Sequence, residues 1–161
     1  MKKIMEDIEE LTATILINND MYNIPVDPVK IAKTYDIVVY AGNLDNKIAG
    51  AIRYVENTKK FEILVNQNDP LEKQRYTIAK ELGFYLLYEE KIKEEEIHVE
   101  LVDKENNEEE LRVDYFAGAL LINKTLLESA YNINSKISEL AELFDVSVST
   151  MTIRLDILGM L

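Results

Sequence analysis

The sequence has no cysteine and only one histidine, His98. The first absence removes disulfides and thiolate chemistry, and together the two leave almost no nitrogen or sulfur donors for a metal ion. Positive charge is scarce as well: 18 lysines and arginines face 30 aspartates and glutamates, a formal net charge of -12. That balance opposes non-specific attraction to phosphate backbones and favours a basic partner. No apolar run approaches the ~20 residues of a membrane span, and Met1-Lys2-Lys3 is followed by Asp7, Glu9 and Glu10 instead of a secretory core. A cytoplasmic protein that stays off membranes is expected. What the chain does have is 161 residues that are 47% hydrophobic, enough to bury one core without staples. Residues 1–161 therefore read as a single domain.

Periodicity divides the chain. Ile8, Leu11, Ile15 and Leu16 recur at helical spacing across Glu6 to Asn18. Asp27-Pro28 supplies a cap and a first-turn proline for a second helix running through Ile31 and Ala32 to Tyr35. Three strands are predicted next, Ile37 to Tyr40, Ile48 to Val55 and Phe61 to Val65, punctuated by Gly42-Asn43 and Glu56-Asn57-Thr58. Short turns between them predict an antiparallel meander. A helix over Glu72 to Tyr88, with Asp69 as its cap and Pro70 in its first turn, then packs on one face of the sheet. Glu89 to Glu109 is dominated by acids and reads as a solvated loop, and Asp103 to Glu108 lacks the glycine and ligand spacing of a calcium loop. His98 falls in this stretch and reads as an ordinary surface or partly buried side chain.

Glu110 to Asn123 reads as a mostly buried helix with a stripe of Val113, Phe116, Ala117, Leu120 and Leu121, and with Glu110 and Asp114 one turn apart. Lys136 to Leu161 holds two short helices joined near Asp145-Val146-Ser147, with Ser147 capping the second.

The stretch Lys80-Glu81-Leu82-Gly83-Phe84 lies inside the Glu72 to Tyr88 helix. Residues 80 and 84 are four apart, so they stack on one face with Glu81 beside them. An H-E-x-x-H zinc site needs that geometry: two imidazoles reach one ion and the glutamate between them activates its water. Here Lys80 and Phe84 stand where the imidazoles would be. An ammonium with a reference pKa near ~10.4 repels a cation, and a phenyl ring has no lone pair to donate.

These residues resemble the ImmA/IrrE family of zinc metallopeptidases, which act on helix-turn-helix repressors and are often encoded beside them on mobile elements. The resemblance spans nearly the whole chain, through Ile24-Pro25-Val26-Asp27-Pro28-Val29-Lys30-Ile31-Ala32, Ile63-Leu64-Val65-Asn66, Gln74-Arg75-Tyr76-Thr77-Ile78-Ala79 and Phe116-Ala117, in the family's order. It implies an α+β, zincin-like fold: a small three-stranded, mainly antiparallel sheet packed on helices over residues 1–130, and a helical section resembling a helix-turn-helix over 131–161. It also implies zinc ligands at positions 80, 84 and 110 and a general base at 81. Only Glu81 and Glu110 remain, so no zinc and no peptidase catalysis are expected. In place of the ion, Lys80 is expected to contact Glu110 or Glu81, with Phe84 filling the second imidazole's space and Asp114 as a neighbour.

The would-be reading helix of the C-terminal section offers Ser147, Ser149, Thr150 and Thr152, with Arg154 as its single cation. Phosphate anchoring needs several cations, so no nucleic-acid partner is expected. The expected function is that of an inactive peptidase-like protein, an antirepressor of a phage or mobile element, that binds a helix-turn-helix regulator. The alternatives are a residual metal-dependent endopeptidase acting through Glu81, Glu110 and Asp114, and a DNA-binding regulator.

Overall fold

The computed structural model describes residues 1–161. The first helix, α1 (Lys2–Asn18), buries Ile8, Thr12, Ile15 and Leu16 along one stripe. In α2 (Pro28–Thr34), the Asp27 carboxylate accepts hydrogen bonds from the backbone N–H groups of Val29 and Lys30, which is the expected cap. The strands β1 (Val38–Gly42), β2 (Ile48–Val55) and β3 (Lys60–Asn66) follow.

The sheet departs from the expected three-stranded meander in two ways. It has four strands in the order β1-β3-β2-β4, with β4 at Ile97–Leu101. In addition, β1 runs parallel to β3 instead of pairing with its sequence neighbour β2. The connection after β1 crosses the end of β3, and the buried amide of Asn66 holds it there by donating to the backbone carbonyls of Leu44, Asp45 and Ile48. That side chain replaces the backbone pairing a meander would have supplied. The β2–β3 pair and the β2–β4 pair are both antiparallel.

The long helix α3 (Leu71–Glu95) outruns the Glu72 to Tyr88 expectation by nearly two turns beyond a kink at Tyr88. Its first turn also differs. Pro70 is the capping residue and no side chain caps the helix, because the Asp69 carboxylate pairs with Lys73 instead. At its far end Glu96 takes the left-handed conformation, φ 65°, and reverses the chain directly into β4. The acidic stretch is therefore largely helix and strand, since Ile92 anchors the helix extension in the core and β4 pairs with β2.

Helix α4 (Glu108–Leu121) packs across α3 and α1. The crossing with α3 is close: a Cβ on Gly83 would lie 2.9 Å from Phe116 Cδ1. Three shorter helices complete the chain, α5 (Lys124–Ile133), α6 (Ile137–Phe144) and α7 (Val148–Ile157). Ser147 caps α7 by accepting from the Thr150 N–H, as expected. One continuous core runs from Ile8 of α1 to Leu155 of α7, so the C-terminal helices share it. No helix is long and apolar enough to cross a membrane.

Candidate functional site

Three elements converge on the Lys80 to Phe84 turn. Helix α3 supplies Lys80, Glu81 and Phe84, and β4 supplies His98 and Glu100 from its inner face. Helix α4 supplies Glu110 and Asp114, with Glu110 fixed in the first turn because its N–H donates to the Asn107 side chain at 2.9 Å.

The Lys80 ammonium is buried at the centre. It lies 2.6 Å from Glu100 Oε1, 2.8 Å from Asp114 Oδ1 and 3.5 Å from Glu110 Oε2. The expected contact with Glu110 is therefore present, the one with Glu81 is not, and the shortest is to a residue the sequence did not single out. Burial works to deprotonate this lysine, but the Glu100 and Asp114 carboxylates outweigh it and hold its pKa above the ordinary lysine value. A second ammonium, Lys104, lies 2.5 Å from Glu100 Oε1 and also bonds Glu110. Tyr76 closes one side by donating its hydroxyl to the Asp114 carbonyl and carboxylate, at 3.3 and 3.4 Å.

Glu81 is turned away from Lys80 and toward β4. Its Oε2 lies 3.2 Å from His98 Nδ1, and His98 Nε2 lies 3.5 Å from Glu110 Oε1. The carboxyl of Glu81 is fully buried, and burial raises its pKa to about 7 although His98 pulls the other way. Burial opposes the charge on His98 too, but its hydrogen bond to Glu81 prevails and raises its pKa. Phe84 stacks on the imidazole with ring centroids 3.7 Å apart. His98 is thus a member of the site, which corrects its reading as an ordinary side chain in a solvated loop.

A zinc ion held from positions 80, 84 and 110 does not fit these residues. Lys80 brings a positive charge to the place where the ion would need a lone pair, and Phe84 brings an apolar ring. Glu110, the one expected ligand that remains, faces the two ammoniums of Lys80 and Lys104.

Sequence reasoning missed His98, Glu100 and Lys104. The usable signal was alternation in Ile97-His98-Val99-Glu100-Leu101, whose polar members share one face of a strand.

The residues of the C-terminal section are not gathered into a basic surface. Arg154 is buried, correcting its reading as the cation of the would-be reading helix. Its Nε donates to the Ile122 carbonyl at 3.0 Å, its Nη2 donates to Glu9 Oε2 at 3.0 Å and its Nη1 lies 2.7 Å from Glu9 Oε1. Thr152 bonds back to the Val148 carbonyl, Ser147 and Thr150 bond each other, and Ser149 is exposed. The exposed members of α7 are Val148, Ser149, Ile153, Asp156 and Ile157, none of them a cation.

Among known proteins, the M78 peptidase family model, described as the IrrE N-terminal-like domain, matches residues 32–156. No curated protein matches the chain. Among solved structures, a Mycobacterium tuberculosis transcriptional regulator is similar in fold, with a TM-score of 0.66 at 19% identity over 93% of this chain and 46% of that one. The chain thus spans less than half the length of that regulator. The family match runs from the end of α2 through α7 and takes in α3, β4 and α4, the elements that build the site; on that footing the chain belongs to the IrrE N-terminal-like peptidase family.

Proposed function

We propose that the chain is a catalytically inactive member of this family that works by binding a helix-turn-helix regulator, in the manner of an antirepressor of a phage or mobile element. The observation that carries this reading is the buried Lys80 ammonium, 2.6 Å from Glu100 and 2.8 Å from Asp114, in the place of the catalytic ion. Holding a partner needs recognition and no hydrolysis, so the family's binding surface can outlive its chemistry.

Two further observations support the choice of partner. The chain carries a net charge of -12, which suits the basic DNA-reading face of a repressor and speeds the encounter. The structural neighbour is described as a transcriptional regulator. Such a role belongs in the cytoplasm, beside the regulator and its operator.

The alternatives are less well supported. A residual endopeptidase needs a base that water can reach, and the Glu81 carboxyl is fully buried. A DNA reader needs cations on its reading helix, and α7 exposes none.

The test is a gel-shift titration of operator DNA bound by the helix-turn-helix regulator encoded beside this chain. Release of the DNA with the regulator left intact on a denaturing gel is the expected result. Cleavage of the regulator that a chelator abolishes would overturn the proposal, as would an unchanged shift together with no complex in a pull-down.

A further inference from the structure

The two ammoniums do not account for every acid in the cluster. Four carboxylates, Glu81, Glu100, Glu110 and Asp114, meet there with Lys80 and Lys104. Both ammoniums crowd onto Glu100 Oε1, and neither reaches Glu81. Two oxygens are left buried with no hydrogen-bond donor, Glu81 Oε1 and Glu100 Oε2. Burying a carboxylate oxygen without a partner is costly, and a bound cation or protonation of the acids relieves that cost.

The same two residues, with His98, form the one group of side chains arranged for a metal ion: a donor atom from each lies within 4.8 Å of the others. Inward movement of roughly 0.7 Å per donor would bring all three to the ~2.0–2.2 Å at which carboxylate oxygen and imidazole nitrogen bind a zinc-sized ion. Once Glu81 is ionised and His98 neutral, as metal ligands must be, four carboxylates against two ammoniums leave the cluster two positive charges short.

We infer that Glu81, His98 and Glu100 form a displaced cation site for a first-row divalent transition metal, built across α3 and β4. Its ligands differ from those expected at positions 80, 84 and 110, and its imidazole comes from the sheet instead of the helix. Two carboxylates and one imidazole suit Zn2+, Mn2+ or Fe2+ better than Mg2+, which binds all-oxygen sites and keeps its water. The ion would pin β4 to α3. It would also take up Glu81 as a ligand, so it is compatible with the proposed loss of peptidase activity.

The experiment uses the full chain stripped by a chelator and desalted, then titrated with Zn2+ and separately with Mn2+. Mg2+ serves as the control for loose binding to the acidic surface. The expected result is one equivalent of Zn2+ or Mn2+ retained through a second desalting, with a melting temperature raised by roughly 5 °C or more at a hundredfold excess over Kd. His98→Gln and Glu100→Gln are expected to lower affinity at least about 100-fold, since each removes a direct ligand. Glu128→Gln, an exposed acid on α5, is expected to bind as the intact chain does.

Retention of the ion at full affinity in either His98→Gln or Glu100→Gln overturns the inference. So does an intact chain that binds Zn2+ and Mn2+ no better than Mg2+, which would leave protonation to neutralise the buried acids. Should the variants not fold, anomalous diffraction from a loaded crystal decides: a peak bonded to Glu81, His98 and Glu100 supports the site, and one bonded to Glu110 and lacking His98 overturns it. A missing ion would leave the regulator-binding proposal standing, whereas chelator-sensitive cleavage of the regulator would sink that proposal and not this one.

Discussion

Lys80 shows how one buried charge organises its neighbours. The carboxylates of Glu100, Glu110 and Asp114 converge on its ammonium, and the first two are themselves buried. Without that charge Lys104 is the one ammonium left for Glu100 and Glu110, and Asp114 keeps the Tyr76 hydroxyl alone, so the loss approaches the ~3–5 kcal/mol of a broken buried pair. Lys80→Met keeps the length and loses the charge, and urea unfolding should register a loss of that size. A variant as stable as the parent would mean that the ammonium holds nothing together.

Glu81 and His98 give a second prediction at this scale. Burial raises the folded-state pKa of Glu81 to about 7 from an ordinary 4.5, so the fold favours its protonated form. Its contribution is fully present below about pH 4.5 and is lost as pH rises through about 7. The folded pKa of His98 also lies above its ordinary 6.5, so its contribution is likewise lost as pH rises through the folded value. The metal-free chain should therefore lose stability between pH 5 and pH 8, and Glu81→Gln should flatten that slope. Melting temperatures of the two proteins across the range would show a steeper decline in Glu81→Gln if the sign were wrong.

Among the elements, those with an apolar face on the core were legible from the sequence, and β4, whose inner face is polar, was not. The β2 strand lies where its branched residues put it, and Asp27 and Ser147 cap the helices they were assigned. In β4 the usual pattern is reversed: Ile97, Val99 and Leu101 are exposed, while His98 and Glu100 point inward to a charged cluster. A search for buried apolar alternation passes over such a strand, because its inner face answers to charges instead of a core. The parallel placement of β1 was hidden for a different reason, since a short connection reads as a hairpin and the Asn66 amide that holds this one across the end of β3 comes from a later strand. In the site, helical spacing sets Lys80 beside Phe84 and Glu110 one turn from Asp114, and the family resemblance brings the two helices to one place, but neither pointed to the partners contributed by β4. The contact between α3 and α4 yields a prediction as well. Gly83→Ala puts a methyl 2.9 Å from Phe116 Cδ1, and the crowding, typically about 1–3 kcal/mol, should outweigh the ~1 kcal/mol that alanine gains in a helix. Thermal unfolding of G83A would detect a net gain in stability if Phe116 could move aside freely.

For the molecule as a whole, Arg154 is the rivet of the C-terminal helices. It joins α7 to Glu9 of α1 and to the Ile122 carbonyl at the end of α4. Arg154→Ala strands that carbonyl and should cost about 3 kcal/mol, read as an earlier midpoint in urea; an unchanged midpoint would show that the ion pair is dispensable. At the same scale, the charge of -12 predicts that association with a basic regulator slows steeply as salt is raised, while dissociation changes little. Stopped-flow measurements at two ionic strengths would expose an association rate indifferent to salt.

Arg75 has a consequence for how this molecule responds to being held. Its guanidinium bonds the Val26 carbonyl at 2.6 Å and the Asp145 carbonyl at 3.1 Å, and it pairs with the Asp145 carboxylate, so one side chain of α3 grips both the approach to α2 and the corner between α6 and α7. A partner that seats on that corner therefore loads the helix carrying Lys80. Amide protons along α3 should exchange more slowly in the complex, far from any surface the partner covers, and Arg75→Gln should uncouple that slowing from the binding itself.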